Sequence, residues 1–463
     1  MSSELRRHWA SAGGQIPPEW NIVPLESLLR DSKSITVGVM YPGPDTPGGA
    51  PLIKVGDIKD GTIPFKPTFC LSEKTNEEHK RTQLIGDELL ITLVGNPGEC
   101  VVVNPLMTGW NPARAIAVIR LQDPSLRIYL KTVLESNASK HLIDAVLNTT
   151  VQKTLNLKDI RKLPIPMPPS NAVVEISAIA DVLTNRIALL RETNTTLEAI
   201  AQTLFKSWFV DFDPVHAKQQ GREPEAMDAD TADLFPDSFE DSELGLVPSG
   251  WCVGIIDDLC DFQNGYAFKS TEMSKSKDDT YKIFKMGNIK KGGGLNRAGT
   301  KDYFEIGKSK QLGRYLLKKG DLLMCMTDMK NNVALLGHTA LMDIDNEFLL
   351  NQRVGMLRSK DKEIANYPFL YILTNSDSFI TDLRSRANSG VQVNLSTQEI
   401  KNTKFIMPTK QVHHRFNEIV EAIYEKLFIV EQQQDCLSDI RDTLLPRLIS
   451  GQLRLPEALD TSA

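Results

Sequence analysis

Two long stretches of this chain space their apolar residues by alternating steps of four and three. In the first, Ile176, Ala180, Leu183, Ile187, Leu190, Asn194, Leu197, Ala201 and Leu204 fall along one side of a helix. Adding 240 to each number gives Phe416, Val420, Ile423, Leu427, Val430, Gln434, Leu437, Arg441 and Leu444, the same seam again. Sustained for about four heptads, this spacing predicts two coiled-coil helices whose seams pair. Within one chain they most simply pair antiparallel. Pro168 and Pro408 precede the helices, and Gly221 and Gly451 lie beyond them in stop positions. One polar residue occupies the same place in each seam, Asn194 and Gln434. Buried together they would fix the register; otherwise both face water.

Outside the helices the pattern is mixed α and β, and it too is repeated. Short apolar runs at 88–94, 115–121 and 321–326 predict strands, while YPGPDTPGG and KKGGG predict loops. IPPEWNIVPLESLL near Trp20 matches VPSGWCVGIIDDLC near Trp251, and LIKVGDIKDG from Leu52 matches IFKMGNIKKG from Ile283, both at an offset of 231. IGDELLITLVG matches KGDLLMCMTD at an offset of 234. Arg114 of NPARAIAVIR aligns with Arg353 of NQRVGMLR. Val151 and Gln152 then meet Val391 and Gln392, Ile160 meets Ile400, and Met167 meets Met407, at an offset of 240. Ordered, collinear matches over half the chain indicate a duplicated domain plus helix, not a short solenoid unit.

The length of 463 residues suggests two to four domains, and 41% hydrophobic with 24% charged residues is ordinary for a folded protein. The first ten residues are polar, and no apolar run is long enough for a bilayer, so we expect a cytoplasmic protein without membrane association. Six scattered cysteines contain no C-x-x-C pair, which signals neither a disulfide framework nor a zinc site. Net charge is −6, but residues 211–245 alone hold eleven Asp/Glu against Lys218 and Arg222. Residues 266–330 carry fifteen Lys/Arg against seven Asp/Glu, a local +8 that suits a polyanion. The corresponding residues 41–100 carry six against nine, which counts against symmetric nucleic-acid binding.

Motifs for autonomous chemistry are missing. NPGE at Asn96 and NPAR at Asn111 lack the second proline and the aromatic that an adenine methylase uses to hold a flipped base. Before Gly307-Lys308-Ser309 a phosphate-cradling loop would need glycine at Asp302. Pro236-Asp237 has no nearby acidic-x-Lys. His413-His414 lacks metal-ligand spacing and reads as a surface pair.

Two diverged domains, each followed by a similar helix, resemble the specificity subunits of type I restriction–modification systems. The junction KLPIPMPP, the helix end LFKSWFVDFDPVHAK and the C-terminal DTLLPRLISGQLRL carry the likeness, which covers nearly the whole chain. It implies an α+β (mixed α/β) chain: two duplicated target recognition domains joined by two long antiparallel coiled-coil helices, with pseudo-two-fold symmetry. The parts would be an N-terminal recognition domain at 1–168, a first helix at 169–210, an acidic and solvated linker at 211–245, a second recognition domain at 246–408, and a second helix with its tail at 409–455. Ile176, Leu183, Ile187, Leu190, Asn194, Leu197 and Leu204 would pair with Ile423, Leu427, Val430, Gln434, Leu437 and Leu444.

The likeness further implies a non-catalytic DNA-binding chain that reads a bipartite site, one half per domain, with the spacer set by the helices. Its partners would be double-stranded DNA, two modification (methylase) subunits and two restriction subunits. The chain itself would bind no cofactor; S-adenosylmethionine, ATP and Mg2+ would be used by the partners. Reading bases needs donors and acceptors on loops fixed by phosphate contacts. The candidates on Gly-rich loops are Lys54, Lys59, Asn96 and Arg114 in the first domain. In the second they are Lys285, Asn288, Lys290, Lys291, Arg314, Lys330, Asn331, Asn332 and Arg353. The rival reading, favoured by the acidic first domain, is a two-armed protein scaffold that does not read DNA. A self-sufficient methyltransferase is a weak third.

Overall fold

The computed structural model describes residues 2–59, 61–147, 153–308, 311–329, 333–362, 364–389 and 392–454. The chain divides into two units, residues 1–191 with 432–463 and residues 192–431. The two divisions fall in the long helices, Ser170–Phe209 and Lys410–Ile449, at positions related by the same offset of 240.

The first unit is built on a four-stranded antiparallel sheet in the order Ile35–Val37, Ile116–Ile119, Leu89–Thr92, Cys100–Val102. Leu89–Thr92 and Ile116–Ile119 are buried at every position, which is why they read as unbroken apolar runs and not as alternation. Because successive side chains point to opposite faces, Leu89, Ile91, Ala117 and Ile119 pack against helices Arg127–Leu134 and Asn137–Val146. Leu90, Ile116 and Val118 face the other way, toward Ile53, Ile58 and Met107. That second layer holds a small sheet in which Ala50–Ile53 pairs antiparallel with Cys70–Leu71 and parallel with Asn111–Pro112. A third pair, Asn21–Pro24 with Pro164–Met167, leads into the first long helix.

The second unit repeats this order strand for strand. Its four-stranded sheet runs Cys260–Asn264, Val354–Ser359, Leu322–Cys325, Thr339–Leu341. Thr280–Phe284 pairs antiparallel with Tyr303–Glu305 and parallel with Phe348–Leu350, and Cys252–Ile255 pairs with Lys404–Met407. An added sheet joins Thr327–Met329, Gln392–Asn394 and Asn388–Ser389; the first unit has only the single bridge Val94–Thr154 at that place among the described residues.

In each unit the start of one long helix lies against the end of the other. Val173 and Ile176 share a core with Leu448 and Ile449 in the first unit. In the second, Phe205, Trp208 and Phe209 surround Phe416, with ring centroids 4.8–6.0 Å away. The seam residues are buried or half-buried: Ile176, Ile187, Leu190, Leu427 and Val430 are at most 5% exposed, and Leu183, Leu197, Leu204, Ile423, Leu437 and Leu444 are intermediate. Asn194 and Gln434 are likewise half-buried, and the Asn194 Oδ1 has no hydrogen-bond partner among the described residues.

Four expectations are corrected. The first helix is not stopped by Gly221. It stops at Phe209, where Asp211 N–H bonds the Lys206 carbonyl at 2.8 Å and Phe212 turns to φ 53°. The left-handed backbone of a phenylalanine costs energy, offset here by burying its ring against Trp251 and Phe239, at 5.8 and 6.0 Å. The acidic segment 211–245 is no solvated linker. It forms helices Asp213–Gln219 and Ala229–Asp233, then strand Phe239–Ser242 paired with Gly245–Pro248. Val215 and Phe235 anchor it in the core at 0% and 2% exposure, while the carboxylates stay outside. His413 is no surface residue: it is 1% exposed, with its ring 4.4 Å from that of Phe369, whereas His414 is exposed. The fourth lies in the strand register at the candidate site, where Arg114 and Arg353 are not equivalent.

Candidate nucleic-acid interface

Backbone hydrogen bonds gather the candidate loops of the first unit at one edge of its second layer. Ala113 N–H bonds the Ile53 carbonyl at 2.8 Å, placing Lys54 beside Arg114. Leu93 N–H bonds the Ala115 carbonyl at 2.8 Å, bringing the turn that carries Asn96 alongside. Glu99 ties that turn to the next, accepting from Asn96 Nδ2 and from Gly61 N–H, both at 3.3 Å, and so draws Lys59 to the same edge. Gly38 closes the arrangement. A Cβ there would stand 2.0 Å from the Pro112 carbonyl oxygen, so only glycine lets the two chains cross.

The four first-unit candidates differ in what they leave free. Lys54 is half-buried, with Nζ 4.2 Å above the Phe69 ring and its N–H bonded to Asp57 at 2.8 Å; it serves the fold. Lys59, Asn96 and Arg114 are exposed. The Lys59 and Arg114 side chains have no hydrogen bond or ion pair among the described residues.

The second unit builds the same edge. Asn351 N–H bonds the Phe284 carbonyl at 3.1 Å, and Met326 N–H bonds the Arg353 carbonyl at 3.1 Å. Gly265 repeats the crossing, with a Cβ 2.2 Å from the Asn351 carbonyl oxygen. This pattern corrects the alignment read from sequence. In the first unit Arg114 N–H bonds the Val39 carbonyl at 2.8 Å; in the second, Gln352 N–H bonds the Tyr266 carbonyl at 2.9 Å. Arg114 therefore corresponds to Gln352, and Arg353 to Ala115. Matching the two arginines by letter slips the register by one residue, which in extended chain changes the face.

Two of the second unit's candidate cations, Lys285 and Arg314, are engaged within the fold. Lys285 Nζ pairs with Asp302 at 2.6 Å, and the Lys275 and Lys285 ammoniums hold that carboxyl below its usual range. Asn288 is 0% exposed. It accepts from Lys285 N–H at 2.9 Å and donates to the Asn296 carbonyl at 3.1 Å and to Thr300 Oγ1 at 2.8 Å. Fully buried and satisfied, it cannot reach a base edge. Lys290 sits on the turn closed by its N–H to the Gly294 carbonyl, 2.8 Å. Its charge acts on Glu198 and Glu431 of the helices; burial, aided by Asp343, pushes the Glu431 carboxyl up to about 7 against Arg297 and Lys290. Lys290 and Lys291 are exposed on that turn. Arg314 lies over the Tyr315 ring at 4.6 Å and bonds its hydroxyl. Arg353 is exposed, its side chain without a partner among the described residues. Lys330, Asn331 and Asn332 lie outside the described residues.

The sequence reading overlooked the segments that follow Gly38 and Gly265. Val39 is 1% exposed, but Met40 and Tyr41 stand out at 45% and 78%. In the second unit Tyr266 instead packs on Phe268 and Tyr315, with centroids 4.9 and 5.6 Å away. A glycine with an aromatic three residues on, Gly38 with Tyr41 and Gly265 with Phe268 at an offset of 227, is the signal that was there to find. Trp208 and Phe209 are packing residues, 3% and 6% exposed in the helix-end cluster. No cluster of three or more His, Cys, Asp or Glu that could hold a metal occurs among the described residues, and no helix there is long and apolar enough to cross a membrane.

Two units of one strand order, each closed by the opposite ends of two shared helices, define a duplicated two-unit architecture. The chain belongs to the family described as "Type I restriction modification DNA specificity domain", whose profile matches residues 45–199 and 248–437. It is 26% identical over 342 residues to the type I restriction enzyme HindI specificity subunit of Haemophilus influenzae, covering 65% of this chain and 71% of that one. It is 20% identical to the type I restriction enzyme MjaIX specificity subunit of Methanocaldococcus jannaschii over 96% of both chains. Among solved structures, the type I restriction–modification S subunit of M. genitalium superposes with a TM-score of 0.57 at 16% identity, over 93% of this chain and 96% of that one; at that identity the likeness speaks for the fold.

Proposed function

We propose that this chain is the non-catalytic DNA-recognition subunit of a type I restriction–modification complex. Each unit reads one half of a bipartite site, and the long helices set the spacer. Methylation with S-adenosylmethionine and ATP-dependent restriction belong to partner subunits, two of each kind. The observation that carries this reading is the repeated edge. Two units of the same topology each bring corresponding strand ends together around a glycine crossing, and each leaves nearby an exposed arginine whose side chain has no partner among the described residues: Arg114 in the first and, one residue beyond its counterpart Gln352, Arg353 in the second. Arginine is the side chain best suited to phosphate or to guanine edges.

Mapping methylated adenines in DNA from cells that carry the complex tests the reading: a split motif is expected, and a contiguous one overturns it. The scaffold alternative keeps one point in its favour, the net −3 of residues 41–100. Filter binding with the methylase present separates the two, because sequence-specific affinity that falls steeply with salt belongs to a DNA reader.

A further inference from the structure

The two reading edges are built alike but equipped differently. In the second unit the segment after the crossing glycine folds inward: Phe268 is 7% exposed, and Tyr266 is half-buried against Tyr315, whose ring lies under Arg314. In the first unit the same segment points out. Val39 is a buried anchor, hydrogen-bonded through its carbonyl to Arg114 N–H and bridged to Ala113. The next two residues, Met40 and Tyr41, are exposed, and Pro42 follows with its backbone restricted. A large ring and a thioether are thus held in solvent by a fixed base, directly after Val39, whose carbonyl accepts from the backbone N–H of Arg114, a residue whose side chain has no partner among the described residues. Phe65, 53% exposed, adds a further apolar side chain to a unit whose loops are short of cations.

Resting on the proposed DNA-reading role, we propose that Met40 and Tyr41 are specificity-determining residues of the first unit, contacting the C5-methyl group of a thymine in its half-site. Thymine's methyl is the one apolar mark in the major groove. An edge of net negative charge gains little from phosphate, so its discrimination rests on contacts that salt does not screen. Tyr41 then selects an A·T pair beside the position that Arg114 addresses.

The test uses the chain assembled with its methylase subunits, and duplexes carrying the methylated motif. The first unit's half-site is the one where Arg114→Ala weakens binding. Each thymine of that half-site is replaced in turn by deoxyuridine, which removes only the methyl group. The expected result is a loss of about three- to ten-fold at one position, the scale for one buried methyl group and its neighbours. In Tyr41→Ala or Met40→Ala complexes the same replacement has little effect, while Tyr41→Phe behaves as the original. Deoxyuridine in the other half-site changes nothing in any variant. A first half-site without thymine, or indifference to deoxyuridine throughout, overturns this inference and leaves the bipartite reading intact. Absence of any Arg114-dependent half-site overturns the bipartite reading itself.

Discussion

Asn288 and Arg353 were both credible base readers by residue type, and their surroundings separate them. Removing the Asn288 amide strands three polar groups in a buried site, each worth about 1–3 kcal/mol unpaired. Asn288→Ala is therefore expected to lower the urea midpoint markedly and to leave the methylated motif unchanged in whatever protein still folds. Arg353→Ala touches no internal partner among the described residues. It should leave stability within about 0.5 kcal/mol and weaken DNA binding by about 1–3 kcal/mol, as read by melting and by filter binding on the same preparation. His413 gives the residue scale a pH dependence. Burial against Phe209 and Phe369 pushes its pKa down to about 4 from 6.5. The folded chain thus keeps His413 neutral where the unfolded chain takes a proton. Stability from this group is full above pH 6.5 and is lost as pH falls toward 4, by roughly 3 kcal/mol in total. His413→Phe should flatten the fall in unfolding midpoint between pH 7 and 4.5; equal slopes for both proteins would refute the assignment.

Between strands the units share a buried ion pair whose acid has moved along the chain. Glu88, 0% exposed, accepts from Arg120 at 3.0 Å and from the N–H groups of Ile85, Gly86 and Asp87 at 2.9–3.1 Å. Asp321, 2% exposed, accepts from Arg358 at 2.6 and 2.7 Å and from Lys318 N–H at 2.8 Å. Arg120→Met leaves the Glu88 carboxylate buried without its counter-charge and is expected to cost about 3–5 kcal/mol. Lys80→Met, beside Glu77 on the surface, is expected to cost no more than about 1 kcal/mol by the same chemical denaturation. The pair also shows where sequence reading stops. The repeated Gly-Asp aligns Asp87 with Asp321, yet it is Glu88 that takes the aspartate's place: Leu89 pairs with Ile119 as Leu322 pairs with Leu357. A longer side chain one residue on reaches the same arginine, and letter matching cannot see that. The helices were legible because a heptad period leaves little freedom in which side is buried. The inner strands were legible because two-sided burial forces continuous apolar runs. The acidic segment was misread because charge dominates its composition, while the few residues that anchor it, Phe212, Val215 and Phe235, follow no period. At the site, exposed Arg114 and buried Asn288 both sit on loops, and only tertiary contacts tell such residues apart.

For the whole molecule, the consequence lies in how the helices are shared. Each passes from one unit to the other at equivalent points, after Arg191 and after Glu431. Ala201, by contrast, is 0% exposed within the second unit's core, so lengthening the helix there would damage that unit along with any spacing role. A heptad added after both Arg191 and Glu431 preserves the a/d seam of both helices and leaves each unit's internal contacts in register. Seven residues add about 10 Å of helix at about 1.5 Å per residue, close to three base pairs of B-DNA at about 34 Å per ten. If the helices set the spacer, the doubly lengthened chain should direct methylation to the same two half-sites with a spacer about three base pairs longer, as read by motif mapping. A heptad in one helix alone mismatches the antiparallel partners and should lower thermal stability without yielding a new, discrete spacer. Changed half-sites in the double insertion, or an unchanged spacer, would show that something other than helix length measures the DNA.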